Sequence, residues 1–175
     1  KTFGMFVNSD SLVKIITIRG TKPKSGYPYE GGSGAVAEEV NTWFEAHPSD
    51  KTSDHTLIII PRYEFRQDGT ATGGPFYGTG KWCYALDYED FNIANIGLGN
   101  NQFTGWFGGL AHELGHGLNL PHNSEKVSDR STLGTALMRY GNYSLGKEAT
   151  LLTAADAAIL YANQIFNKEN KTYYD

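Results

Sequence analysis

Three of the chain's five histidines, His112, His116 and His122, fall within eleven residues, and Glu113 follows the first of them. A helix advances about 100° per residue, so His112 and His116 stand one above the other and can offer ring nitrogens to a single cation. Imidazole suits zinc, which in a catalytic site takes three protein ligands at roughly 2.0–2.2 Å and keeps a fourth position open. Two histidines do not suffice. His122 supplies the third if the helix ends in a turn soon after His116. Asparagine enters the left-handed backbone region more readily than most residues, so Asn119 suits such a turn, and Pro121 cannot continue a helix. Glu113, beside the open position, is placed to act as a general base rather than as a ligand.

A bare His-Glu-x-x-His occurs by chance on exposed helices, and the third histidine at ligand spacing is what argues for a metal. A glutamate on a later element is the competing third ligand. Glu125 lies too near, in a polar stretch, and Glu148 precedes the last helix, so His122 is preferred. His47 and His55, near a helix end and a strand start, read as surface or capping residues. Cys83 is the only cysteine, which excludes an intrachain disulfide and a cysteine-based zinc site.

The run HELGHGLNLPH, His112 to His122, resembles the long zinc signature of the metzincin metalloendopeptidases, His-Glu-x-x-His-x-x-Gly-x-x-His, with Asn119 where that family usually has glycine. Ala136-Leu137-Met138-Arg139-Tyr140-Gly141 resembles the family's methionine turn beneath the metal, and Met138 also reads as an adaptable core filler. In the astacin-like and serralysin-like branches a tyrosine two residues after that methionine reaches the zinc, and Tyr140 occupies the matching position. The resemblance implies one catalytic Zn2+ ion on His112, His116 and His122, with Glu113 as base and Tyr140 as ligand or oxyanion donor. It also implies an α+β, metzincin-like zincin fold with an α/β-like N-terminal lobe. That lobe has a twisted, mostly parallel sheet with an antiparallel edge strand and the active-site helix; a small C-terminal lobe ends in a helix. The whole chain, 1–175, then forms one catalytic domain with lobes of about 1–119 and 120–175.

The implied activity is zinc-dependent endopeptidase cleavage of protein substrates bound as an extended strand. Two alternatives stand beside it. One is a protease specific for glycosylated, mucin-like protein, since aromatic side chains can stack on sugars; aromatics make up 13% of the chain. The other is a non-catalytic, zinc-stabilised module that binds peptides or glycans, against which the intact Glu113 argues.

A chain of 175 residues is long enough to bury a core as one domain. Its 15 basic and 19 acidic residues are scattered, giving a net charge of −4, so no basic stripe points to nucleic acid. No apolar run reaches the length of a membrane span. A monomer is expected, and calcium stays open although no motif indicates it. The start, Lys1-Thr2-Phe3-Gly4, lacks signal-peptide character, which means either an internal protein or a mature, trimmed form; the second fits a protease better, and with it the expected location is outside the cytoplasm: secreted, periplasmic or at the cell surface.

The elements that must position the site read in order. Leu12 to Arg19 is rich in branched residues and predicts a strand. Val36, Val40, Trp43 and Phe44 recur at helical spacing and predict a helix closing near His47. Thr56 to Tyr63 predicts a strand buried on both faces, completing a βαβ unit. Gly69 to Gly80 predicts a glycine-rich hairpin or bulged loop. Lys81 to Tyr88 predicts the strand at the upper edge of the cleft, whose free backbone groups a peptide can join. Thr104 is the expected cap of the histidine helix, with Phe107, Leu110, Ala111, Leu114 and Leu118 facing the core and the histidines facing the cleft. Its five glycines imply close approach of neighbouring backbone. Asn123 to Gly134 predicts a polar loop. Thr153 and Asp156 form a capping pattern for a last helix with Ala158, Ala162, Ile165 and Phe166 on one face.

Overall fold

The computed structural model describes residues 14–61, 64–65, 71–72, 74–88, 91–95, 98, 101–163 and 165. Helix α1, Gly32–Ala46, starts behind Gly31 at φ 78° and ends where His47 caps it, backbone N–H and Nδ1 both meeting the Trp43 carbonyl. Strand β1, Thr56–Pro61, follows, then the short pair β2, Glu64–Phe65, and β3, Ala71–Thr72. Strands β4, Tyr77–Thr79, and β5, Trp82–Asp87, form a tight hairpin through Gly80, which has φ 57°. Helix α2, Asn101–Gly117, carries the histidine motif. A short helix α3, Val127–Leu133, leads to β6, Thr135–Ala136, which pairs in parallel with β7, Thr150–Leu151, ahead of the last helix α4, Ala154–Ala162.

The fold is α+β. The main sheet runs β1-β5-β4, with β1 parallel and β4 antiparallel to β5. Its α1 side holds the core, where Val36 and Val40 of α1 pack with Tyr27, Ile60, Tyr84, Leu86 and Tyr88. The predicted apolar stripe of α1 is therefore the face that anchors it. Among the described residues no helix is long and apolar enough to cross a membrane.

Several expectations change. Residues 14–20 form no strand, so the first arm of the expected βαβ unit is not seen; Leu12 and Val13 lie outside the described residues. What anchors this segment is side-chain chemistry: Ile18 packs on the core and the Lys14 ammonium sits 2.6 Å from Asp50. Strand β1 is not buried on both faces, because Leu57 is 46% and Ile59 53% exposed. Leu57 and Ile59 pair with Cys83 and Ala85, on the sheet face that α2 covers at β5 and leaves open at β1. Strand β5 is central, not the edge, because residues 77–79 fold back beside it and β4 takes the outer place. Part of the segment 69–80 lies outside the described residues.

Helix α2 begins at Asn101, so Thr104 is a buried interior residue and not the cap. Burial along it does not follow the expected division into a core face and a cleft face. Phe107, expected in the core, is 40% exposed, whereas His112 is buried. The reason lies in packing on both sides: the β4–β5 hairpin lies against one flank and residues 136–142 against another. A Cβ on Gly108 would overlap the Asn142 carbonyl, one on Gly117 would come within 3.1 Å of the Trp82 carbonyl, and one on Gly115 would strike the Met138 sulfur. Close approach thus explains these glycines; Gly105 has nothing within 4 Å. The expected polar loop after Asn123 contains α3. Thr153 and Asp156 do form the reciprocal capping box. The inward residue of α4 is Asp156, which is 0% exposed, while Ala158 and Ala162 face solvent. Asp156 turns inward because it also accepts a hydrogen bond from the Asn123 amide. Phe166 lies outside the described residues.

Two glycines on one helix should respond oppositely to the same change. Gly105→Ala should stabilise by roughly 0.5–1 kcal/mol, through helix propensity and lost unfolded-state freedom. Gly108→Ala should destabilise by about 1–3 kcal/mol, because the Asn142 backbone cannot yield cheaply. Urea unfolding of both variants checks the contrast.

Candidate metal centre

The motif's geometry begins at the C-terminus of α2. Asn119 adopts φ 68°, the only positive φ outside glycine among the described residues. The Leu120 N–H bonds back to the Gly115 carbonyl and the Asn119 N–H to the His116 carbonyl, both at 2.9 Å. This is a Schellman termination, which satisfies two of the helix's last carbonyls and turns the chain sharply. Leu120 is buried, with its methyl directed at the space beside Gly115. The expected role of Asn119 is met, and the turn returns His122 to the side of the helix carrying the other two rings.

The three Nε2 atoms converge. His112 and His116 are 3.1 Å apart, His112 and His122 3.1 Å, and His116 and His122 3.0 Å. Tetrahedral ligands at about 2.0–2.1 Å from one ion lie about 3.3 Å from one another. The protonation pattern agrees with that spacing. His112 Nδ1 lies 2.8 Å from the Leu137 carbonyl, and His116 Nδ1 lies 2.8 Å from the Leu120 carbonyl. Carbonyls accept only, so these rings carry their protons on Nδ1 and direct bare Nε2 lone pairs at one another. Two bare lone pairs aimed at one point repel unless a cation stands between them, and with the His122 Nε2 beside them the residues fit a metal ion held by three nitrogens. Neither Glu125 nor Glu148 joins the cluster.

Glu113 points from α2 toward the outer edge of the sheet, which is unpaired among the described residues, and its Oε2 accepts the Gly78 N–H of β4 at 2.8 Å. Burial, with Glu113 nearby, pushes the Cys83 thiol up to about 12, so it stays protonated and inert at neutral pH. Met138 is 0% exposed and lies beneath the helix at Gly115. Its neighbour Leu137 contributes the carbonyl that orients His112. Tyr140 is 63% exposed, with the Arg139 guanidinium 5.1 Å from its ring centre. His55, with Nδ1 protonated, donates to the Gly117 carbonyl at 2.8 Å and so caps α2 from the start of β1; burial lowers its pKa.

Glu125, weighed above as a ligand, has a different task. Its Oε2 accepts the Ala136 N–H at 2.9 Å, and its Oε1 lies 3.7 Å from both Arg130 Nε and Arg139 Nη1. It therefore pins the start of the methionine segment. Four contributors were not foreseen: Gly78, the Leu120 and Leu137 carbonyls, and Glu125 in this anchoring role. Main-chain carbonyls leave no sequence signal, and Gly78 is one of several glycines in its stretch.

No family model and no curated protein matches the sequence. Solved structures do. Wild-type OgpA from Akkermansia muciniphila is 45% identical with a TM-score of 0.88, over 94% of this chain and 48% of that one. A catalytically inactive OgpA from the same organism, in complex with an O-glycopeptide (glycodrosocin) substrate, is 42% identical with a TM-score of 0.92, over 99% of this chain and 51% of that one. The chain spans about half the length of the OgpA chains it matches.

His122 is exposed and at the end of a turn, so His122→Ala should leave the fold intact yet abolish stoichiometric metal uptake; circular dichroism and elemental analysis of the same sample check both halves. The Ala136 N–H, helped by Arg139 and Arg130, holds the Glu125 carboxyl below its ordinary value of 4.5. A carboxylate with a lower pKa folded than unfolded stabilises above the unfolded value, and that contribution disappears as pH falls through the folded one. Glu125→Gln should therefore lower the neutral-pH unfolding midpoint by several degrees and flatten its decline below about pH 4.5, as read from melting curves between pH 3 and 7.

Proposed function

We propose that this chain is the catalytic region of a zinc-dependent, metzincin-like endopeptidase that cleaves O-glycosylated protein. The observation that carries the reading is the convergence of three Nε2 atoms at the end of the helix that also carries Glu113, whose carboxylate reaches the outer strand of the sheet. His112, His116 and His122 would hold the ion. When bound, zinc supplies Lewis acidity, polarising a carbonyl and lowering the pKa of a coordinated water from near 16 toward about 7.

The chain's own residues do the rest. An extended peptide adds to the outer edge of β4, as a strand adds to any unpaired edge, which brings its scissile bond beside Glu113. With Oε2 engaged by Gly78, Oε1 is the atom that takes the proton from the attacking water and later delivers it to the leaving amine. Tyr140, exposed at the end of the methionine turn, swings to donate its hydroxyl to the oxyanion as charge develops there. A purely structural metal would have no use for Glu113, which favours hydrolysis over a binding module.

Of the two substrate readings, glycosylated protein is better supported than protein in general. The chain aligns over 99% of its length with an inactive OgpA that holds an O-glycopeptide.

The test pairs peptides of one sequence, plain and O-glycosylated, incubated with the zinc-loaded protein and followed by mass spectrometry with and without chelator. Cleavage should be confined to the glycosylated peptide and stop on chelation. Equal cleavage of both would return the reading to a general endopeptidase, and cleavage of neither would favour the binding module. Glu113→Ala should retain its metal while the rate falls by about 100- to 10,000-fold.

A further inference from the structure

We infer that the backbone N–H of Gly78 is a positioning group for the general base, an inference that rests on Glu113 having that role. In the β4–β5 hairpin, Thr79 and Trp82 flank the two-residue turn Gly80-Lys81, and Gly78 faces Cys83 as the next pair. Antiparallel pairs alternate between bonding each other and turning their backbone groups outward. Gly78 falls on the outward step, so its N–H leaves the sheet along the open edge, where it meets Glu113 Oε2 at 2.8 Å.

Two features make this contact specific. A Cβ on residue 78 would overlap the Glu113 carbonyl and approach the Gly117 nitrogen at 2.8 Å, so only glycine lets the strand come close enough for its N–H to reach the carboxylate. The contact also crosses from sheet to helix: one oxygen of a side chain with three rotatable bonds is fixed by a rigid hairpin, and the other is left for proton transfer. A hydrogen bond to an ionised carboxylate is short and directional. Aim of this kind is worth rate, since misplacing a reacting group by about 1 Å can cost about 100-fold. The same donor is thereby withheld from the substrate, which is left the outward Gly78 carbonyl as its partner on this residue.

Replacing Gly78 by glycolic acid, through an α-hydroxy acid supplied at that codon, exchanges the N–H for an ester oxygen without adding a Cβ. In the zinc-loaded protein acting on glycodrosocin, kcat should fall about 10- to 100-fold while KM and metal content stay unchanged. Independently of activity, the Gly78 amide proton in 15N-labelled protein should resonate downfield and exchange slowly, and Glu113→Ala should abolish both. An unchanged kcat overturns the inference, as does a loss carried wholly by KM, which would make the N–H a substrate donor, or a Gly78 resonance indifferent to Glu113→Ala. Failure of the unmodified protein to cleave glycodrosocin would instead overturn the functional reading, and the inference with it.

Discussion

Helix α2 is held at backbone distance from two sides, and the histidine cluster depends on that grip. On one side the β4–β5 hairpin reaches the helix at Gly117 and, through Gly78, at Glu113; on the other, residues 136–142 reach it at Gly108 and Gly115. Glycines cost helix propensity, up to about 1 kcal/mol each. Here most of them exchange intrinsic stability for proximity, and proximity puts neighbouring backbone groups within reach of the motif's side chains. Without it, the Leu137 carbonyl could not orient His112, nor could the Gly78 amide reach Glu113.

The motif is consequently a composite. Each histidine ring turns one nitrogen toward the cluster, and what fixes that choice is a main-chain carbonyl on the far side of the ring for His112 and His116. One of these carbonyls belongs to the helix's own Schellman turn and the other to the methionine segment. The buried Met138 and the buried Glu125 secure that segment from below and from its start. The anchor at Glu125 is ionic as well as hydrogen-bonded, and it acts from outside the histidine cluster.

Legibility in the sequence followed locality. Periodicity located α1 through Val36 and Val40, and the Thr153–Asp156 pair located the start of α4, because both signals are carried by residues a few positions apart. The same approach failed where burial is decided by distant chain. The apolar run Leu57-Ile58-Ile59-Ile60 suggests a strand covered on both faces, yet α2 covers β5 and β4 and leaves Leu57 and Ile59 open. The run from Lys81 looks like an edge strand until residues 77–79 fold beside it. Ala158 and Ala162 look like a core face, but Asp156 is the residue that turns inward, because Asn123 meets it there.

By itself the sequence determined the chemistry on offer. Three imidazoles and a carboxylate, a residue able to take a left-handed turn at Asn119 and a methionine segment downstream are all local facts, since ligand type and helical spacing follow from covalent structure alone. Which strand forms the open edge, which nitrogen of each ring bears the proton and where Glu113 points were decided only by tertiary structure. Those depend on backbone carbonyls and amides that every sequence possesses, and only packing determines which of them come within 3 Å of a functional side chain.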